Sequence, residues 1–368
     1  MATSAPKTVV AKIGSSSLTD ERGVIDLGAV VKLCREVVDL RAGGHRVLIV
    51  SSGAVSAGVA ALGLAARPND LPTLQALSAA GQSRLMQVYN DILGHYGLVG
   101  AQVLLDSKSF VDRRQYLHAR QTLSRLVELG CVPVVNENDA VAPNEVRFGD
   151  NDRIAALVSH LVAADVLVLL TDTPGLYTAD PRFDATARLI ERVAADDPVL
   201  ADAGGTGSTR GSGGMASKLA AARIASWSGV QAVIARASRP DVLVDAVAGT
   251  PGVGTVFLPH DRRLSARKLW IAFATDPSGT VVVDDGARRA LVDRGTSLLP
   301  AGIRSVDGNF DDGDAVDVAA PDGVVFARGM AAVDAATMRT VAGRRTTELP
   351  PEVRHEAIHR DDLVVLPG

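Results

Sequence analysis

Lys12-Ile13-Gly14-Ser15-Ser16-Ser17 sets a cation, a glycine and three hydroxyls side by side, a combination suited to phosphate. Glycine lets backbone N–H groups approach phosphate oxygens, and an ammonium neutralises charge on a group in transfer. Ser51-Ser52-Gly53-Ala54-Val55-Ser56-Ala57-Gly58 is a second turn of small residues that exposes N–H donors, although Gly53 and Gly58 would equally allow close helix packing. Ser212-Gly213-Gly214-Met215-Ala216-Ser217-Lys218 places a glycine turn ahead of a helix. Its N–H groups offer partial positive charge and Lys218 adds a full one. Taken alone, the first string reads as a strand-to-helix turn with a solvated lysine.

Carboxylates and amides gather in Asn136-Glu137-Asn138-Asp139 and in Phe148-Gly149-Asp150-Asn151-Asp152. Such groups bind an amino group, orient a carboxylate or align lysines. The plainer alternative is helix capping, with Asp150 or Asn151 opening the helix that runs from Arg153 to Leu161. Thr171 and Asp172 leave a buried strand and suit a nucleotide. The GxxxxGK[ST] pattern is absent and no GxGxxG follows the first strand, which weakens P-loop and dinucleotide readings.

These strings need a scaffold that collects strand ends. β-branched runs recur at Thr8 to Ile13, Val47 to Ser51, Gln102 to Leu105, Val132 to Val135, Val166 to Thr171 and Gln231 to Ala235. Amphipathic segments lie between them; one helical face is expected from Leu27, Val30, Val31, Cys34, Val37 and Val38. The alternation predicts an α/β fold whose largely parallel central sheet is sandwiched by helices, with ligands at the carboxyl ends of the strands. After Pro259 the texture changes. Short β-like pieces from Thr280, Ala315 and Val324 alternate with Asp-Gly turns, which predicts a second, smaller β-rich, barrel-like domain. The expected domains are residues 1–260 and 276–368, with the Gly/Ser/Thr-rich stretch from Ala203 to Gly214 as a loop.

Composition removes several classes. With 42 acidic and 38 basic side chains the formal charge is −4, so no strong field recruits nucleic acid or anionic membrane. Cys34 and Cys131 share no CxxC or Cys/His spacing and are expected to be buried and reduced. No apolar signal stretch opens the chain and the apolar runs have strand length, which predicts a cytoplasmic protein with no membrane partner. The histidines show no metal-ligand spacing, and Trp227 and Trp270 read as packing residues.

Taken in order, the strings resemble the amino acid kinase family, and within it the branch that phosphorylates glutamate. Lys12-Ile13-Gly14-Ser15-Ser16, Ser52-Gly53-Ala54, Val135-Asn136-Glu137-Asn138-Asp139, Gly149-Asp150-Asn151-Asp152, Thr178-Ala179-Asp180-Pro181 and Gly213-Gly214-Met215 carry the likeness. Ser297-Leu298-Leu299-Pro300 and His359-Arg360-Asp361-Asp362 extend it through the tail. The resemblance implies a pocket for L-glutamate from Ser52, Gly53, Asn136, Asp139, Asp150 and Asn151. It gives ATP to Lys12, Gly14, Thr171, Asp172, Ser212, Gly213, Gly214, Met215, Ala216, Ser217 and Lys218. Lys12 and Lys218 would flank the γ-phosphoryl group, with Asp152 positioning both. Ser51, Ser212, Ala216 and Ser217 depart from the commoner small residues without removing a charge or donor.

The implied reaction turns the glutamate side-chain carboxylate into an acyl phosphate, L-glutamyl 5-phosphate, opening proline biosynthesis with proline as feedback inhibitor. Mg²⁺ would be held mainly through nucleotide phosphates, with no dedicated protein metal site, and a homo-oligomer, dimer or tetramer, is expected. From about Asp276 the chain resembles a PUA domain, a fold often found on RNA-modifying proteins. Ten Asp and eight Arg between Pro277 and Arg345, with no Lys or Glu, leave −2, which disfavours nucleic acid as a partner. Acetylglutamate, aspartate and uridylate kinases are the nearest competitors; an RNA-binding protein with a degenerate kinase-like domain and a nonenzymatic amino-acid sensor are the competitors from other classes.

Overall fold

The computed structural model describes residues 5–366, apart from 21, 107, 142–150, 196, 202–212, 262, 275–276 and 350–354. The chain forms two compact units, 1–263 and 264–368. Residues 264–274, between the two expected domains, pack with the second: Leu269 and Ile271 are buried, and Arg328 donates to the carbonyl of Ala272.

The first unit is built on eight strands: β1 (Thr8–Ile13), β2 (Arg46–Ser51), β3 (Gly100–Leu105), β4 (Val132–Glu137), β5 (Val166–Thr171), β6 (Arg192–Val193), β7 (Gln231–Arg236) and β8 (Gly254–Phe257). Their order is β3-β4-β2-β1-β5-β7-β8-β6. All neighbours are parallel except β7 and β8. Strands β1, β4 and β5 are buried along their whole length, as strands covered on both faces must be. β1 is central, so Lys12 lies level with Val50 of β2 and Leu169 of β5. The sequence left β6 and β8 unread. Each is too short for a periodic signal, and Gly254 serves close approach instead: a Cβ there would stand 2.1 Å from the Ile234 carbonyl oxygen.

Helix Leu27–Ala42, capped by Asp26, buries Val30, Leu33, Cys34, Val37 and Leu40. Leu27 and Val31, assigned to that face from spacing, are 58% and 44% exposed, so the apolar stripe is rotated toward Leu33 and Leu40. Cys34 is fully buried, which pushes its thiol up to about 12, whereas Cys131 is only half-buried, contrary to expectation.

Helices Ala54–Ala61 and Leu71–His95 touch backbone to backbone. A Cβ at Gly58 would fall 2.1 Å from the Leu77 carbonyl oxygen, and one at Gly81 would fall 1.8 Å from that of Ala54. Gly58 therefore does serve packing. Gly53 differs: its φ of +103° lies in the region that disfavours L side chains, and it starts helix Ala54–Ala61.

The second unit carries β9 (Gly279–Val283), β10 (Ile303–Gly308), β11 (Ala315–Ala319), β12 (Val325–Met330) and β13 (Leu363–Val365), ordered β10-β9-β11-β12-β13. Only β9 and β11 run parallel. Val281, Val283, Val316, Val318 and Leu363 form its core with Met338 and Ile358.

Candidate active site

Lys12 is the last residue but one of the central strand, with its side chain almost wholly buried. A buried ammonium needs a counter-charge, and Asp152, second residue of helix Asn151–Leu161, supplies it: Lys12 Nζ lies 2.7 Å from Asp152 Oδ1. Lys218 Nζ lies 3.3 Å from the other carboxylate oxygen and also donates to the Gly214 carbonyl at 3.0 Å. Ser217 Oγ donates to Asp152 Oδ2 at 2.7 Å. One carboxylate thus ties the end of β1 to the first turns of helix Gly213–Trp227. Burial pushes the Asp152 carboxyl up, but the two lysines and the bonds from Lys12 and Ser217 outweigh it and hold it below the ordinary carboxylate value. Gly14 lies over this cluster, where a Cβ would stand 3.5 Å from Lys12 Nζ. Gly213 and Gly214 begin the helix, and Met215, Ala216 and Ser217 are half-buried along its first turn.

A cavity of about 70 Å³ is lined by Ser52, Gly53, Asn136, Asp139 and Asn151, which the structure therefore brings together. Asn151 Nδ2 donates to Ser52 Oγ at 3.0 Å. The Asn136 amide is committed within the protein, donating to Gln82 Oε1 at 2.8 Å and accepting from the Glu137 N–H at 2.9 Å. Ser78 Oγ donates to Asp139 Oδ2 at 3.1 Å. Asp139 Oδ1 and Asn151 Oδ1 are buried and accept no hydrogen bond among the described residues. Burial pushes the Asp139 carboxyl up, against the Ser78 bond and the positive charge of Arg67. Buried acceptors left without donors are costly.

Thr171 and Asp172 line a different cavity, of about 410 Å³, with Ile13, Ser16, Ser17 and Ala237 at the ends of β1, β5 and β7. Thr171 Oγ1 donates to Asp172 Oδ1 at 2.9 Å. Asp150 and Ser212, with the Gly/Ser/Thr-rich stretch as far as residue 212, lie outside the described residues.

Sequence reasoning missed Arg67, Ser78 and Gln82. Arg67 sits in a connection with no motif. Ser78 and Gln82 left a trace: they are buried polar residues four apart on helix Leu71–His95, among Leu74, Leu77 and Leu85.

Among the described residues no group of three His, Cys, Asp or Glu side chains is arranged to hold a metal, and no helix is long and apolar enough to cross a membrane. The amino acid kinase family matches residues 7–236 and the PUA domain residues 279–351. The chain is 45% identical to the glutamate 5-kinase of Moorella thermoacetica, over 100% of this chain and 98% of that one. It is 47% identical to the glutamate 5-kinase of Geobacter sp., over 98% of each. Carbamate kinase from Giardia lamblia, at 16% identity and a TM-score of 0.51, covers 69% of this chain and 99% of its own and shares the fold.

Proposed function

From the premise that this chain belongs to the amino acid kinase family and groups with its glutamate 5-kinases, we propose that it transfers the γ-phosphoryl group of ATP to the side-chain carboxylate of L-glutamate. A carboxylate oxygen forms the new P–O bond as the bond to the β-phosphate oxygen breaks, giving L-glutamyl 5-phosphate and ADP. An ionised carboxylate needs no general base, so the protein has to align the reactants and neutralise charge. The observation that carries the reading is the Asp152 carboxylate shared by Lys12 and Lys218. It keeps two ammonium groups in place and itself ionised, and Lys12 and Lys218 take the roles of neutralising the phosphoryl oxygens.

The 70 Å³ cavity supplies the acceptor site. The oxygens of Asp139 and Asn151 that accept no hydrogen bond among the described residues suit an α-ammonium, and the small-residue turn at Ser52 and Gly53 suits a carboxylate. Thr171, Asp172 and the turn from Gly213 to Lys218 are assigned to ATP. Asp152 is already engaged by both lysines and Ser217, which leaves a metal little there. Mg²⁺ would be held through the nucleotide's phosphate oxygens, where it supplies further charge neutralisation. Entry into proline biosynthesis, a cytoplasmic setting, self-association and inhibition by proline at the glutamate cavity belong to the same proposal.

The test is incubation with MgATP, L-glutamate and hydroxylamine, alongside aspartate, N-acetylglutamate and UMP, with ADP release followed in each. Hydroxamate formed from glutamate and lost in Lys218→Ala supports the assignment. Equal turnover of another acceptor, or none with glutamate, overturns it. Saturating proline that leaves turnover unchanged at subsaturating glutamate removes the inhibition.

A further inference from the structure

Helix Leu71–His95 turns one polar stripe toward the site. Ser78, Gln82 and Tyr89 are all buried and follow one another at intervals of one and then two turns, which puts them on a single side of the helix. Ser78 Oγ donates to Asp139, and Gln82 accepts from Asn136, both residues of the 70 Å³ cavity. The Tyr89 hydroxyl lies 2.9 Å from Ser51 Oγ, whose own proton goes to the carbonyl of the cavity residue Ser52 at 3.1 Å. Gly81, which precedes Gln82, seats the helix against Ala54–Ala61 at the closest backbone contact between the two.

The Gln82 contact has a direction, and one main-chain group sets it. The Glu137 N–H can only donate, so the Asn136 atom it meets at 2.9 Å is the carbonyl Oδ1. Asn136 therefore turns Nδ2 to Gln82, which answers with Oε1 at 2.8 Å, and Gln82 Nε2 in turn donates to Gln102 Oε1 at 3.1 Å on the edge strand β3. Three amides are ordered in series, from exposed Gln102 through buried Gln82 to buried Asn136. With one N–H spent on Gln82, Asn136 has its second N–H to offer the cavity that it lines. We propose that Gln82 is a positioning residue for the amino-acid acceptor: by accepting from Asn136 it fixes that amide so that Asn136 meets the substrate as a hydrogen-bond donor. The donor complements the acceptors Asp139 Oδ1 and Asn151 Oδ1 of the same cavity. Without the Gln82 oxygen, Asn136 would keep a buried N–H lacking its acceptor, or rotate and present an oxygen where the donor stood. This rests on the reading of the cavity as the glutamate site.

The experiment is a double-mutant cycle on initial rates, with Gln82→Met, Asn136→Ala and the two combined. Methionine keeps the length of the glutamine side chain and removes the acceptor. Gln82→Met is expected to raise KM for glutamate on the order of 3- to 10-fold, the order of one neutral hydrogen bond, with kcat and the KM for MgATP within about twofold of wild type. In the Asn136→Ala background the same substitution should leave the glutamate KM where Asn136→Ala alone puts it, because Gln82 acts through that amide. Calorimetric titration with glutamate reads the same cycle if Asn136→Ala turns over too slowly to assay. Thermal unfolding sets the assay temperature below the Tm of every variant, so that the four proteins are compared folded. An unchanged glutamate KM in Gln82→Met, equal losses for glutamate and MgATP, or additive losses in the double variant would overturn the proposal. Absence of glutamate turnover in the wild type would instead remove the reading on which it rests.

Discussion

Replacing Asp152 with Asn keeps the shape and removes the charge that holds the two buried lysines. In the wild type one carboxylate oxygen lies 2.7 Å from Lys12 Nζ and the other 3.3 Å from Lys218 Nζ. The amide keeps one acceptor oxygen, turns the other side into a donor, and removes the carboxylate charge from beside two ammonium groups. Breaking a buried pair by removing one partner costs about 3–5 kcal/mol, and the lower end, roughly 3 kcal/mol, applies where the amide keeps one acceptor oxygen. If a similar amount of positioning and charge is lost at the transition state, kcat falls on the order of 10²-fold, since each 1.36 kcal/mol is about a decade. Hydroxamate formation at saturating MgATP and glutamate reads kcat, and calorimetry reads stability. The pH dependence adds a check. Folding holds the Asp152 carboxyl below its usual 3.8. Its contribution is therefore full above 3.8, the unfolded value, and is lost as pH falls through the folded value. The gap in Tm between wild type and Asp152→Asn should hold from pH 7 down to 4 and narrow below. Turnover within about tenfold of wild type, with unchanged Tm, would refute the reasoning.

Ser217→Ala removes the 2.7 Å bond to Asp152 and should lower kcat about tenfold, the order of one hydrogen bond to a charged group, while Ser217→Thr, which keeps the hydroxyl, restores most of it; equal kinetics for the two variants would deny the hydroxyl its positioning role. Asp139→Asn should raise the stability of the ligand-free protein at pH 7 while weakening glutamate binding. Burial raises the folded Asp139 carboxyl above 3.8, so wild-type stability declines as pH rises from 3.8 through the folded value and the variant escapes that decline. Thermal unfolding against pH checks this, and a variant that melts lower at pH 7 contradicts it. Gly53→Ala forces an L side chain to a φ of +103° and should cost about 1–2 kcal/mol of unfolding free energy together with a higher glutamate KM; chemical denaturation and initial rates measure the two, and a neutral substitution would show that the turn relaxes.

The buried strands were legible because β1, β4, β5 and β7 each carry an apolar run, Val9 to Ala11, Val132 to Val135, Val166 to Leu170 and Ala232 to Ala235, a pattern that a sheet covered on both faces imposes. Lys12, Asp152 and Lys218 could be singled out by charge beside glycine, but that one carboxylate holds both lysines depends on packing across 140 and 66 residues. Spacing alone misplaced the face of helix Leu27–Ala42, because Leu27 and Val31 fit the period and yet point to solvent. Arg67 carries no local signal, since its connection reaches the cavity only once Gly58 and Gly81 bring two helices together. Gly254 could not be read as part of a strand, for its role is to let β8 approach Ile234.

The central claim is that a carboxylate oxygen of glutamate attacks phosphorus while Lys12 and Lys218 neutralise the charge. Glutamate labelled with ¹⁸O in its side-chain carboxylate tests it directly, with MgATP and hydroxylamine present. Hydroxylamine takes the acyl carbon and releases phosphate through C–O cleavage, so the bridging oxygen leaves with phosphorus. The account predicts one ¹⁸O per released phosphate, seen as an isotope shift in the ³¹P spectrum, with hydroxamate formed in equal amount. Unlabelled phosphate, or labelled glutamate recovered unchanged while ADP accumulates, would contradict it.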